Sequence, residues 1–216
     1  MGKAAKLNFM LEVKLRASPF WAILAAVILA GSPSAVYAAC PTGTRAQSFA
    51  SPAALSELTD QALTAFRENS DDGLACFQEK MAAAEAMVTA LQDPPTPATL
   101  ADFYLGEGIL HYVRLPPKKK ADVAALRAEV LPWFRAARSV APTHPFSVGY
   151  APEHRMTQLW LEAGEADAAV ETVEVPGWMV LLWDGTAGTT RPTDRPTLMQ
   201  AQCGGGGRRT SRVARS

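Results

Sequence analysis

Leu74, Phe77, Met81, Ala84, Val88 and Leu91 recur at intervals of 3, 4, 3, 4 and 3 residues, and this stripe constrains the fold more than any other feature of the chain. The spacing places all six apolar side chains on one face of an α-helix, whereas a strand would divide them between two faces. The stripe spans under three heptads, so it predicts a helix packed against neighbours in a bundle rather than a long coiled coil. Both ends are marked. Asn69-Ser70-Asp71-Asp72-Gly73 is a turn with three residues able to cap the helix, and Pro94, Pro95 and Pro97 close the far end. A residue before proline is pushed out of the α region, so a helix stops there.

Other segments repeat the pattern. Ser51-Pro52 is a helix start, with a capping hydroxyl and proline in the first turn, and Leu55, Leu58, Ala62, Leu63 and Phe66 then share a face. Thr99 to Leu115 is a third helix, carrying Leu100, Phe103, Tyr104, Ile109, Leu110 and Val113, and Thr99 can cap it. Gly106 and Gly108 inside it cost about 1 kcal/mol each relative to alanine, so they predict close backbone approach to a neighbour. Pro116-Pro117 and Lys118 to Lys120 read as a solvated connector. The fourth helix lies within Val123 to Pro145, with Val123, Leu126, Val130, Phe134, Ala137 and Val140 on one face. Pro132 inside it predicts a kink or break near Glu129, because its ring meets the carbonyl four residues earlier. A looser helix over Pro152 to Ala168 comes next, with Met156, Leu159, Trp160 and Ala163 apolar.

The period then changes. Glu171 to Trp183 is rich in Val, Trp and Leu, and Asp184-Gly185 is a hairpin turn signal. Trp178 to Trp183 is apolar at every position, which predicts a strand covered on both faces or an exposed adhesive edge. Arg191 to Pro196 is a turn, and Thr197 to Gln202 supplies a return strand. Gly204 to Gly207 and the arginine-rich end read as a disordered tail, 203–216.

The N-terminus indicates export. Lys3, Lys6, Lys14 and Arg16 precede Trp21 to Ala30, an apolar run too short to span a bilayer, and Val36-Tyr37-Ala38 offers small residues for cleavage. The expectation is a signal peptide over 1–38, with Met1 or Met10 as the start, and a periplasmic or secreted mature chain. A lead-in over 39–50 precedes the helical domain, 51–168. In an oxidising compartment Cys40 and Cys76 can form a disulfide, both can remain small buried residues, or Cys40 can carry a lipid. Cys203 is left over. Outside the two basic ends, residues 39–207 hold thirteen basic and twenty acidic side chains, a net charge of −7. That body lacks the basic stripe a nucleic-acid surface needs.

Two family resemblances bear on the helices and the strands. Val130, Phe134, Ala137 and Pro142 resemble the A-x3-F-x2-A-x4-P pattern of the second helix of a tetratricopeptide repeat, with valine for the first alanine. Ala83, Met87, Ala90 and Pro95 match the same spacing, with methionine for phenylalanine, and Leu105-Gly106 is similar to the Leu-Gly of a first helix. The connector between helices is about a dozen residues longer than that family uses. The resemblance covers about 51–145 and implies antiparallel helical hairpins, with small residues allowing close packing and proline ending each unit. Trp178 to Pro196, WMVLLWDGTAGTTRPTDRP, looks like a partial PEGA-type β module over about 171–202. The implied fold is mainly α: about five helices in tetratricopeptide-like antiparallel hairpins, with a small C-terminal β-hairpin.

No G-x-S-x-G, P-loop, H-E-x-x-H or dinucleotide fingerprint occurs. His144 and His154 flank a loop, with Glu153 beside one of them, but structural zinc needs four ligands at short spacings. His111 reads as a packed histidine, and Asp71-Asp72 as helix capping. The expectation is therefore no catalytic, cofactor or metal residues. The functional expectation is an exported, non-enzymatic scaffold binding a protein partner or peptide. The alternative is a structural protein anchored to the envelope through a lipidated Cys40 or the β segment. Membrane contact arises only through the signal peptide or such an anchor.

Overall fold

A capping hydroxyl followed by proline starts the first helix as expected. In the computed structural model, α1 is Pro52–Arg67, and the Ser51 hydroxyl accepts from the Ala54 N–H at 3.1 Å. The structure describes residues 50–115, 121–164, 169–203 and 209–214. All of them belong to the unit Pro41–Ser216. The segment 1–38 expected to be a signal peptide, the lead-in before residue 50 and Cys40 lie outside the described residues.

Helix α2 is Asp71–Val88. Of the three candidate caps, Ser70 is used, and its hydroxyl accepts from the Gly73 N–H at 3.0 Å. Asp71 and Asp72 fill the first turn, where negative charge meets the positive end of the helix dipole. Ser70→Ala is expected to lower stability by about 1 kcal/mol. A shift of the urea midpoint would register that loss, and an unchanged midpoint would remove the cap from the account.

Helix α3 is Pro97–Arg114, and it starts two residues before the expected Thr99. Thr96 is the cap, accepting from the Thr99 N–H at 3.2 Å, and Pro97 opens the helix instead of closing the previous one. Proline fits the first turn because its missing N–H would have had no helical partner there. Helix α4 is Ala121–Val140 and runs through Pro132 without a break. Burial explains this. Leu131, Trp133 and Phe134 on either side of the proline are all in the core, and each contributes about 1.5–3 kcal/mol against about 3 kcal/mol for an interior proline. Helix α5 is Arg155–Ala163, capped by His154, whose Nδ1 accepts from the Met156 N–H at 3.3 Å.

Neighbouring helices pair: α1 packs on α2, α3 on α4, and α5 on α4, with α1 also against α3. The buried face of α2 is Phe77, Met81, Ala84 and Val88, continued by Leu91 beyond its end. Gly106 and Gly108 let α3 approach its neighbours. A Cβ on Gly106 would lie 2.5 Å from the Met81 sulfur, and one on Gly108 would lie 2.5 Å from Cδ1 of Phe134. The approach read from the two glycines is present, to α2 at one and to α4 at the other.

The C-terminal part holds more β structure than a hairpin. Its strands are β1 Val170–Thr172, β2 Met179–Trp183, β3 Thr186–Ala187, β4 Thr190–Pro192, β5 Thr197–Cys203 and β6 Arg209–Ala214. β1 and β4 form a two-stranded antiparallel pair, and β3-β2-β5-β6 form a four-stranded antiparallel sheet. The tail expected to be disordered thus contributes a strand, β6, which pairs along β5 from Thr197–Ala214 to Gln202–Arg209. The sequence of β6 is polar and carries no strand period of its own, but its Val213 packs against the core. Met179, Leu181 and Trp183 point inward, while Trp178 and Val180 are about half exposed. β2 is therefore covered on one face, and neither of the two expectations for it describes the result.

Candidate binding site at the helix–sheet seam

The sheet is tied to α3 by a buried polar node. β2 and β3 are joined by Asp184-Gly185, both at positive φ (50° and 82°), the conformation a tight two-residue hairpin requires. That turn aims the Asp184 side chain into the protein. Tyr104, fully buried on α3, donates its hydroxyl to Asp184 Oδ1 at 2.6 Å. The Leu198 N–H on β5 is shared, lying 2.9 Å from Asp184 Oδ1 and 2.7 Å from the Tyr104 oxygen. The Asp184 N–H completes the node by donating to the Leu198 carbonyl at 2.8 Å.

Burial dominates the electrostatics of this node. It pushes the Asp184 carboxyl up to about 6, against the downward pull of the Tyr104 and Leu198 hydrogen bonds and the Arg195 charge. The Tyr104 hydroxyl is pushed well above its usual range by burial first and by the Asp184 charge second. From sequence, Asp184 has a turn role only. Its burial is not visible there, because the residues that cover it come from α3 and β5.

Beside this node is a cleft of about 230 Å³, lined by Arg135, Arg138 and Ser139 of α4, by Ala163 and Gly164 at the end of α5, and by Asp194 and Arg195 before β5. Pro142 completes its wall. The Arg195 Nη1 donates to Asp194 Oδ1 at 3.2 Å, and the Arg135 Nη1 lies 4.0 Å from Asp194 Oδ2. Arg138 lies over the Trp160 ring with its guanidinium carbon 5.5 Å from the centroid, a cation–π contact. Gly164 makes room for it, since a Cβ there would fall 2.5 Å from an Arg138 terminal nitrogen. The cleft thus brings together three guanidinium groups and one carboxylate, a net of +2 on a body of net −7. The Nε–H groups of all three arginines are buried and have no hydrogen-bond acceptor among the described residues.

The residues singled out from the sequence are dispersed. Val130, Phe134 and Ala137 are fully buried on α4, while Pro142 is exposed at the rim of the cleft. In the other unit Pro95 is buried, but Ala83 and Ala90 are exposed and Met87 is half-buried. The packing face there is one position out of phase, on Ala84, Val88 and Leu91. Cys76 is a free, half-buried thiol, so the Cys40–Cys76 disulfide is not formed. Spacing alone permitted that bridge without placing the two sulfurs together. Cys203, the odd cysteine of the sequence, is disulfide-bonded.

The histidines also separate. His144 Nε2 lies 3.0 Å from Asp102 Oδ1, His154 caps α5 and stacks on Tyr150, and His111 stacks on Trp133 near Glu129. Among the described residues, no group of three His, Cys, Asp or Glu side chains is placed to hold a metal. Among them, too, no helix is long and apolar enough to cross a membrane. Comparison with protein-family models, with curated proteins and with solved structures finds no match for this chain.

Proposed function

We propose that the chain is an exported, non-enzymatic binding scaffold that holds a protein partner across the seam between its helices and its sheet. Export rests on the basic start, the short apolar run and the small-residue cleavage pattern of residues 1–38. The tetratricopeptide-like and PEGA-like patterns belong to the same reading, since stacked helical hairpins present extended surfaces to partners. One observation carries it. The arginine cleft reverses the sign of an otherwise acidic body, and it lies where helices and sheet both contribute side chains. Local charge of opposite sign steers and registers a partner more effectively than a uniform surface does.

A photo-crosslinking residue at Ser139, on the cleft wall, is expected to give a discrete protein adduct in the exported fraction. The same residue at Asp60, exposed on α1, serves as control and is expected to give none. Equal labelling at both positions, or none at Ser139, would sink the proposal.

A further inference from the structure

We infer that the cleft between the ends of α4 and α5 and the Asp194-Arg195 turn is an oxyanion site, and that its ligand is a carboxylate presented by the protein partner. The inference rests on the scaffold reading and deepens it by naming the group recognised.

Three features built into the cleft support it. Arginine carries fixed forked donors that match the paired oxygens of a carboxylate, and here three arginines line one cleft together with a single described acid, which lies beside two of them. Next, the arginines are held in place. Arg138 rests on the Trp160 face and in the space left by Gly164. The side chain of Arg195 is only 13% exposed, beside Asp194, which is 15% exposed. Little side-chain freedom remains to be lost on binding. Finally, a buried donor without an acceptor is unfavourable, and among the described residues each of the three arginines holds its Nε–H in that state.

Helix-end electrostatics do not account for the cluster. Arg138 lies in the last turn of α4, where a cation is favoured by the helix dipole. Arg195 stands on a turn between strands and receives no such benefit. Asp194 answers one of the three charges and bridges Arg135 and Arg195. Glu165 and Asp167 come after Gly164 in sequence and lie outside the described residues, so the net of +2 counts the described cleft side chains.

The test uses the full chain as exported, with sulfate as a dianion that does not titrate near neutral pH, followed by calorimetry. Wild type is expected to bind sulfate saturably at one site. Arg138→Gln should weaken binding at least tenfold, and Arg135→Lys, which keeps the charge but loses the fork, several-fold. Asp194→Asn should tighten binding several-fold, a gain that misfolding cannot imitate. A blocked peptide carrying two glutamates should compete with sulfate, and its glutamine counterpart should not.

Absence of saturable sulfate binding, or an Asp194→Asn variant that binds no more tightly than wild type, overturns the oxyanion site. Sulfate binding without competition by the glutamate peptide overturns the carboxylate ligand. The scaffold reading fails separately. Oxyanion binding with no adduct at Ser139 removes the protein partner and leaves the anion site, while an adduct without sulfate binding does the reverse.

Discussion

Phe134→Ala is expected to lower the unfolding free energy by about 3–5 kcal/mol, the range for deleting a buried phenylalanine. Phe134 is fully buried on α4 and packs edge-on against Trp160 and Phe146 at 5.6 and 6.1 Å between centroids. It also fills the space opened by Gly108, where α3 has no side chain. That pairing predicts non-additivity. Gly108→Ala in the wild-type background forces a methyl into the phenylalanine ring and costs about 1–3 kcal/mol, as overpacking does. In the Phe134→Ala background the methyl has room, and the same change should be nearly neutral or stabilising, since alanine is the better helix former by about 1 kcal/mol. Urea denaturation of the four proteins completes the cycle. If Gly108→Ala costs as much in the Phe134→Ala background as in wild type, the lock between the two helices is not what fixes this glycine.

Asp184→Asn is expected to remove much of the pH dependence of stability between about pH 4 and 6. Asp184 titrates near 3.8 in an unfolded chain and near 6 when folded. Across that window the folded protein keeps a proton that the unfolded chain releases, so stability falls as pH rises and then stays low above it. The whole difference amounts to about 3 kcal/mol, at about 1.4 kcal/mol per unit. Asparagine keeps the carbonyl oxygen that accepts from Tyr104 and Leu198, and it tolerates the positive φ of the turn. It cannot ionise. At pH 7.5 the variant should therefore exceed wild type by up to about 3 kcal/mol, while near pH 4 the two should agree. Parallel stability curves for the two proteins over this range would show that another group carries the effect.

Period and punctuation make most of the helical part readable. The helices from Pro52 to Ala163 are legible in 3/4 spacing, hydroxyl caps and prolines, and Gly106 and Gly108 announce the close approach that Met81 and Phe134 fill. The features that escape a reading of sequence are long-range. Arg135 and Arg138 are near neighbours on α4, but Arg195 is almost sixty residues further on, so no local window shows a cluster. The phase of Ala83, Met87 and Ala90 fails because small residues occupy adjacent positions on α2. Spacing then fits two registers, and the bulk of Phe77 and Met81 selects the other. At Pro132 the local cost is visible in the sequence, whereas the burial of Trp133 and Phe134 that outweighs it is not. β6 escapes for a similar reason: composition speaks for disorder, and the pairing that orders it comes from β5.

The node joining Tyr104 to Asp184 and Leu198 also bears on the order of assembly. Its partners are 80 and 94 residues apart in the chain. Helical hairpins close locally and quickly, whereas contacts of such separation form late. During synthesis, the paired helices can therefore fold while the Tyr104 hydroxyl still faces water, awaiting a strand that has not emerged. A chain cut before Asp184 leaves that hydroxyl without its acceptor, and one cut before Leu198 removes the β5 donor and leaves Leu198's place in the core unfilled. Completion of the sheet thus serves as a seal on the helices, closing only when nearly the whole chain is present.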